Sequence, residues 1–146
     1  MSGTKKIAIG CDHGGYELKK EIIQHLTDRG FEVFDLGCDS PESCDYPIYA
    51  KAVTEKINAG EADLGILVCG TGIGMSMAAN KQQGIRAALC HDTFSAQATR
   101  EHNDANVLCM GARVIGPGYA LMVVDTFVDT EFSNDERHKR RISLYS

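Results

Sequence analysis

The chain has 146 residues, 43% of them apolar and 24% charged, and carries a net charge of −5. That length fits a single domain over 1–146, which would bury roughly two-thirds of its unfolded surface, and the composition excludes disordered and fibrous classes. The acidic balance argues against nucleic-acid or membrane-surface binding. No apolar run approaches the ~18 residues of a membrane span, and MSGTKK leads into a strand instead of a signal-peptide core, so a cytoplasmic location is expected.

Lys5 to Cys11, KKIAIGC, reads as the first strand, followed by the turn DHGG and an amphipathic helix over Tyr16 to Arg29 with Gly30 at its C-cap. Phe31 to Leu36 is the second strand and Gly37 to Asp45 a loop broken by Pro41. Asp45 is placed to cap a helix over Tyr46 to Ala59, with Pro47 in its first turn. Leu64 to Cys69 is the third strand, Ile73 to Lys81 its helix, and Ile85 to Cys90 the fourth strand. A helix over Thr93 to His102, a fifth strand over Asn106 to Met110 and a helix over Gly118 to Thr130 follow. Ser133 and Glu136 have capping-box spacing, which predicts a terminal helix over roughly Asn134 to Tyr145. Strands alternating with helices in this way predict an α/β fold, a parallel sheet with helices on both faces. Ligands of such sheets bind outside the carboxyl ends of the strands. The loops there carry Asp12 and His13, Gly70 to Gly74, His91 and Asp92, and Gly111 to Arg113.

The most informative stretch is LGILVCGTGIGMSMAAN, Leu64 to Asn80. Its continuous apolar start suits a strand covered on both faces. Gly70, Gly72 and Gly74 then let the backbone turn sharply and aim its N–H groups at a close neighbour. A helix N-terminus with free amides favours an anion, either a phosphate or a developing oxyanion. Cys69 stands where strand meets turn. It is either a thiol activated by the positive helix end or an ordinary buried strand cysteine.

The six cysteines contain no C-x-x-C pair and read as reduced thiols. Cys38 and Cys44 share a loop, but no histidine lies near them in sequence and no common zinc spacing is met, so no metal is assigned. A dinucleotide site fails in detail. In a G-x-G-x-x-G pattern beginning at Gly10, the second glycine is Asp12, whose charge would repel a pyrophosphate. The turn from Gly70 has Met75 where its third glycine is needed, and no Lys-Ser or Lys-Thr completes a P-loop. In the tail, Arg137, His138, Lys139, Arg140 and Arg141 form a basic cluster. Arg137 and Arg141 share one helix face, where two guanidinium forks can grip a phosphate or simply be solvated.

The ordered set GCDHGG, DYP, CGTGIGMSMAANK, REHNDANVL and GAR, with Arg137 and Arg141, resembles the ribose-5-phosphate isomerase B family, which includes allose-6-phosphate isomerase and galactose-6-phosphate isomerase subunits. The resemblance runs from Lys5 to about Arg141. It implies a Rossmann-like five-stranded sheet and an aldose–ketose isomerase of ribose 5-phosphate, with an isomerase of a six-carbon aldose 6-phosphate or a non-catalytic nucleotide- or sugar-phosphate-binding module as the alternatives; the missing metal spacing and broken dinucleotide fingerprint predict that no cofactor is needed. Cys69 would move a proton between C1 and C2, with Thr71 supporting the pocket and the N–H groups of Gly70, Gly72, Ile73 and Gly74 holding the enediolate oxygen. His102 would open the furanose ring. Asp12, Tyr46 and Asn103 would bind sugar hydroxyls or the ring, and His13, Arg113, Arg137 and Arg141 the phosphate.

The resemblance also implies a homodimer with shared active sites, its C-terminal helix reaching the partner subunit, with further pairing to a tetramer open. One branch of the family uses a carboxylate a turn after the cysteine position; that slot is Met75 here, which places the chain in the cysteine branch. Read from the residues alone, His102 and Asn103 are equally helix-end groups, Tyr46 and Asp12 caps, and His13 a loop residue. His25, His91 and His138 are read as structural or surface groups.

Overall fold

The computed structural model describes residues 4–146. Met1 to Gly3, part of the MSGTKK segment, lie outside the described residues. The order is β1 (Lys6–Cys11), a 3-10 turn (His13–Gly15), α1 (Tyr16–Asp28), β2 (Glu32–Asp35), α2 (Tyr46–Asn58), β3 (Leu64–Cys69), α3 (Ile73–Asn80), β4 (Ala87–Leu89), α4 (Thr93–Asn103), β5 (Val107–Gly111), α5 (Pro117–Asp129) and α6 (Glu136–Ser143).

All strand pairs are parallel, in the order β2-β1-β3-β5-β4. The central strands β3 and β5 are buried at every position, as their unbroken apolar runs require. Two cores flank the sheet. Leu18, Ile22 and Leu26 of α1 pack with Val123, Val124 and Phe127 of α5 on one face. Ala50 and Val53 of α2 pack with Met75 and Ala79 of α3 on the other. The chain therefore leaves β1 toward one face and β3 toward the other. The crevice this opens at the carboxyl ends of β1 and β3 is where a doubly wound sheet takes its ligand.

Two local expectations are corrected, and a third holds in position though not in its side-chain bond. Ser133 and Glu136 do not form a capping box: Asp135 is the N-cap of α6, its Oδ1 accepting the Arg137 N–H at 2.8 Å, and the helix starts at Glu136 because Asn134 is left-handed. The Ser133 hydroxyl is taken by the His138 ring instead. Asp45 occupies the N-cap of α2, but only its carbonyl accepts, from the Ile48 N–H; its side chain makes no capping bond. The fourth strand is the short Ala87–Leu89, since it is an edge strand paired only with β5.

One charge sits inside the α1 face. Lys19 is 1% exposed, and its ammonium donates to Asp35 Oδ1 and to the Cys38 carbonyl, each at 2.7 Å. Asp35→Ala strands that charge against a single carbonyl. Because Asp35 is half-exposed, the expected loss is below the usual figure for a buried pair, about 2 kcal/mol, read from the urea midpoint at constant slope.

Candidate active site

The turn after β3 is built around backbone geometry that only glycine supplies. Gly72, the N-cap of α3, has φ 80°, and a Cβ there would come within 2.8 Å of the Met110 backbone. Curling the turn this tightly brings the Gly72 N–H to Cys69 Sγ at 3.0 Å. Cys69 is nearly buried, 5% exposed, and its sulfur faces a donor at the start of a helix. Thr71 Oγ1 accepts the Ile73 N–H at 3.2 Å and braces the same turn. The amides of Gly74 and Met75 belong to the first helical turn, where no carbonyl lies within the helix to receive them.

The neighbouring loops close on this turn. Asp12 N–H donates to the Val68 carbonyl, and its carboxylate accepts the Gly14 N–H at 2.8 Å. A Cβ on Gly14 would lie 3.1 Å from Gly70 N, so the first loop rests directly against the turn. His13 follows, its Nδ1 accepting the Cys44 N–H. The Arg113 guanidinium passes over Gly70 and the Tyr46 ring over Gly74. Asp12, His13, Tyr46, Cys69, Thr71, the glycine turn and Arg113 thus form one group. Met75, by contrast, is wholly buried in the core beside Cys69.

The remaining sequence candidates are elsewhere. Helices of a parallel α/β unit run opposite to the strands, so His102 and Asn103, closing α4, lie at the amino ends. The Asn103 carbonyl accepts from Arg86 Nε, just before β4 begins. The five residues of β5 separate that edge from Cys69 by ~15 Å at about 3.3 Å per residue. Arg137 and Arg141 stand on α6, which packs on α4. His138, read as structural or surface, is in fact buried: its ring lies 4.5 Å from that of His102 and its Nδ1 is 3.0 Å from Ser133 Oγ. The sequence candidates therefore fall into two groups at opposite ends of the sheet. Sequence periodicity could not reveal the His102–His138 pairing, because it depends on how α6 folds back.

Three of the other thiols are held protonated by their surroundings. Burial pushes Cys11 up to about 12 and Cys90 up to about 11, and it raises Cys109 as well, so all three stay protonated. Cys38 and Cys44 have a histidine in their vicinity after all. Cys38 Sγ is 3.8 Å from Cys11 Sγ, and Cys44 meets His13, yet no metal-holding group of three or more His, Cys, Asp or Glu exists among the described residues.

The family profile of ribose/galactose isomerases matches residues 7–144. The chain belongs to the ribose/galactose isomerase family. It is 51% identical to ribose-5-phosphate isomerase B of Escherichia coli, covering 94% of this chain and 92% of the relative. It is 48% identical to ribose-5-P isomerase B of Listeria innocua, covering 95% and 93%. The fold superposes on Clostridium thermocellum ribose-5-phosphate isomerase B with TM-score 0.93 at 51% identity, covering 95% of this chain and 93% of that one. Trypanosoma brucei type B ribose 5-phosphate isomerase gives TM-score 0.94 at 47% identity, with 97% of each chain covered. The Rossmann-like parallel sheet expected from the sequence is thus that of the family. No helix among the described residues is long and apolar enough to cross a membrane.

Proposed function

We propose that this chain interconverts ribose 5-phosphate and ribulose 5-phosphate, with Cys69 as the base. The observation that carries this reading is the Cys69 thiol held 3.0 Å from the Gly72 N–H at a glycine turn, in a member of the ribose/galactose isomerase family. In the opened aldose, Cys69 takes the C2 proton. The C–H electron pair forms the C1–C2 double bond as the C1 carbonyl oxygen takes up charge; the hydroxyl proton passes from O2 to O1, and the same sulfur returns its proton to C1. The amides from Gly70 to Gly74 hold the oxygen on which charge develops. His102 opens the ring by taking the anomeric hydroxyl proton and delivering one to the ring oxygen. Asp12, Tyr46 and Asn103 hold hydroxyls, while His13, Arg113, Arg137 and Arg141 hold the phosphate.

This chemistry needs two copies of the chain. Cys69 and His102 stand at opposite sheet edges, so a homodimer that sets one subunit's Cys69 turn against the α4–α6 end of the other completes each site. Exposed apolar side chains around the Cys69 edge support such a contact, among them Ile73 at 47%, Met77 at 65% and Phe94 at 80% exposure.

The direct test is turnover of ribose 5-phosphate by the purified chain, with allose 6-phosphate run beside it. Absence of turnover on ribose 5-phosphate overturns the reading. Arg137→Ala is expected to raise KM by about 10- to 100-fold, the value of one or two charge-assisted hydrogen bonds to phosphate, with a smaller change in kcat. Inhibition by inorganic phosphate should weaken in parallel.

A further inference from the structure

His91, outside the assigned site, holds the backbone that supports the Cys69 turn. It follows β4, and its Nε2 lies 2.8 Å from the Gly111 nitrogen. The amide is the donor, so Nε2 accepts and the ring proton is on Nδ1. Gly111 ends β5, and the next two amides reach across to the catalytic strand. Ala112 N–H donates to the Cys69 carbonyl at 2.8 Å, and Arg113 N–H to the Gly70 carbonyl at 3.0 Å. There is no slack in this contact, since a Cβ on Gly111 would lie 2.5 to 2.6 Å from the Thr71 backbone. A displacement of Gly111 therefore reaches Cys69, Gly70, Thr71 and the root of Arg113 together.

We propose that His91 is a positioning residue for the isomerisation: its neutral imidazole clamps Gly111 and so registers the Cys69 turn against Arg113, and protonation releases the clamp. The catalytic consequence rests on Cys69 being the base; the clamp itself rests on the hydrogen bond alone.

An imidazolium offers N–H donors at both nitrogens, so it would meet the Gly111 N–H donor to donor. Burial holds His91 below the ordinary histidine range, opposed only by the neighbouring Asp92 carboxylate. That carboxylate is committed to capping α4, accepting from the Ser95 N–H at 2.6 Å and the Ser95 hydroxyl at 3.0 Å. On the other side Cys90 is a buried, protonated thiol. The β5 neighbour is the uncharged Gly111 amide, and the α5 neighbour of this loop is the Tyr119 hydroxyl, which accepts the Thr93 N–H. The folded chain thus binds the His91 proton less tightly than the unfolded chain. This group's effect on stability is absent above a pH of about 6.5 and becomes a loss as pH falls below it.

The test compares wild type with His91→Gln, whose Oε1 reproduces the reach of Nε2 without titrating, and His91→Phe, which removes the acceptor. In wild type, imidazole nitrogen NMR is expected to show the Nδ1–H tautomer at neutral pH, with the Gly111 amide resonance moving as His91 titrates. The kcat/KM ratio of His91→Gln to wild type is expected to rise several-fold between about pH 7.5 and about pH 5.5, because the acid-side release is gone. His91→Phe is expected to lose about tenfold, the value of one buried hydrogen bond, with His91→Gln restoring most of it. An Nε2–H tautomer, a Gly111 amide indifferent to His91 titration, or a Gln-to-wild-type ratio flat in pH overturns the proposal. If His91→Phe does not fold, the tautomer and the ratio still decide. Retained turnover in Cys69→Ala with intact His91–Gly111 co-titration would overturn the Cys69 assignment instead, so the two failures are distinguishable.

Discussion

Cys69→Ala is expected to lower kcat for ribose 5-phosphate by about 10²- to 10⁴-fold, the usual contribution of a positioned base to a proton transfer. No other group is placed to substitute. Met75, the residue a turn later, is wholly buried and has no proton to exchange, and Cys109 is a buried thiol kept protonated by its surroundings. The replacement also removes the acceptor for the buried Gly72 N–H, a local cost at the turn that leaves Arg137 and Arg141, at the other end of the sheet, untouched. Phosphate affinity should therefore stay within a few-fold of wild type while turnover collapses. A Cys69→Ala protein that keeps most of its kcat would show that the base is elsewhere. Cys69→Ser distinguishes a shape effect from a proton-transfer effect: it keeps the acceptor, but its hydroxyl stays protonated and cannot take the C2 proton, so it should fail nearly as badly as alanine.

The second large effect is a restoration. Cys69→Ala and His102→Asn should each be nearly inactive on the ring-closed sugar phosphate when pure. Mixed in equal amounts and allowed to exchange subunits, they should recover about a quarter of wild-type activity, because half of the dimers would be mixed and each would rebuild one of two sites. The expectation follows from topology: α4 delivers His102 to the amino edge of the sheet and β3 delivers Cys69 to the carboxyl edge. If each site were formed within one chain, mixing would recover nothing. Dilution should abolish the recovered activity at the concentration where the dimer dissociates, measured on the same samples by light scattering.

The Cys69 turn and the α4–α6 end of the sheet are held in place in different ways. The Cys69 turn is fixed by backbone contacts to β5 and the first loop, which tolerate little movement. The α4–α6 half is fixed by side chains: His138 is pressed against His102, held by Ser133, and its Nε2 is 3.4 Å from Arg137 Nη2. Burial, together with the charges of His102 and Arg137, holds His138 below the ordinary histidine range, so it is neutral at neutral pH. That neutrality lets it lie against the Arg137 guanidinium without like-charge repulsion.

What the sequence determined by itself is the local part. The apolar runs at Leu64–Cys69 and Val107–Gly111 specify buried parallel strands. Alternate glycines at Gly70, Gly72 and Gly74 specify a turn with free amides at a helix start, and Cys69 is recognisable at its rim because its neighbours in sequence are its neighbours in space. Arg137 and Arg141 share a face by helical spacing alone.

The tertiary structure decided what depends on distant segments. Ser133 is a capping residue by spacing but a histidine partner in fact, because α6 folds onto α4 and brings His138 within reach. Cys44 has no histidine nearby in sequence, yet the loop after β2 folds under the first loop and brings it to His13. His91 looks like one loop histidine among several until parallel pairing of β4 with β5 sets its ring against the Gly111 amide. The placing of Cys69 and His102 at opposite sheet edges has the same origin. Spacing along the chain fixes which residues share a turn, but the alternation of strand and helix directions fixes which end of the sheet each one reaches.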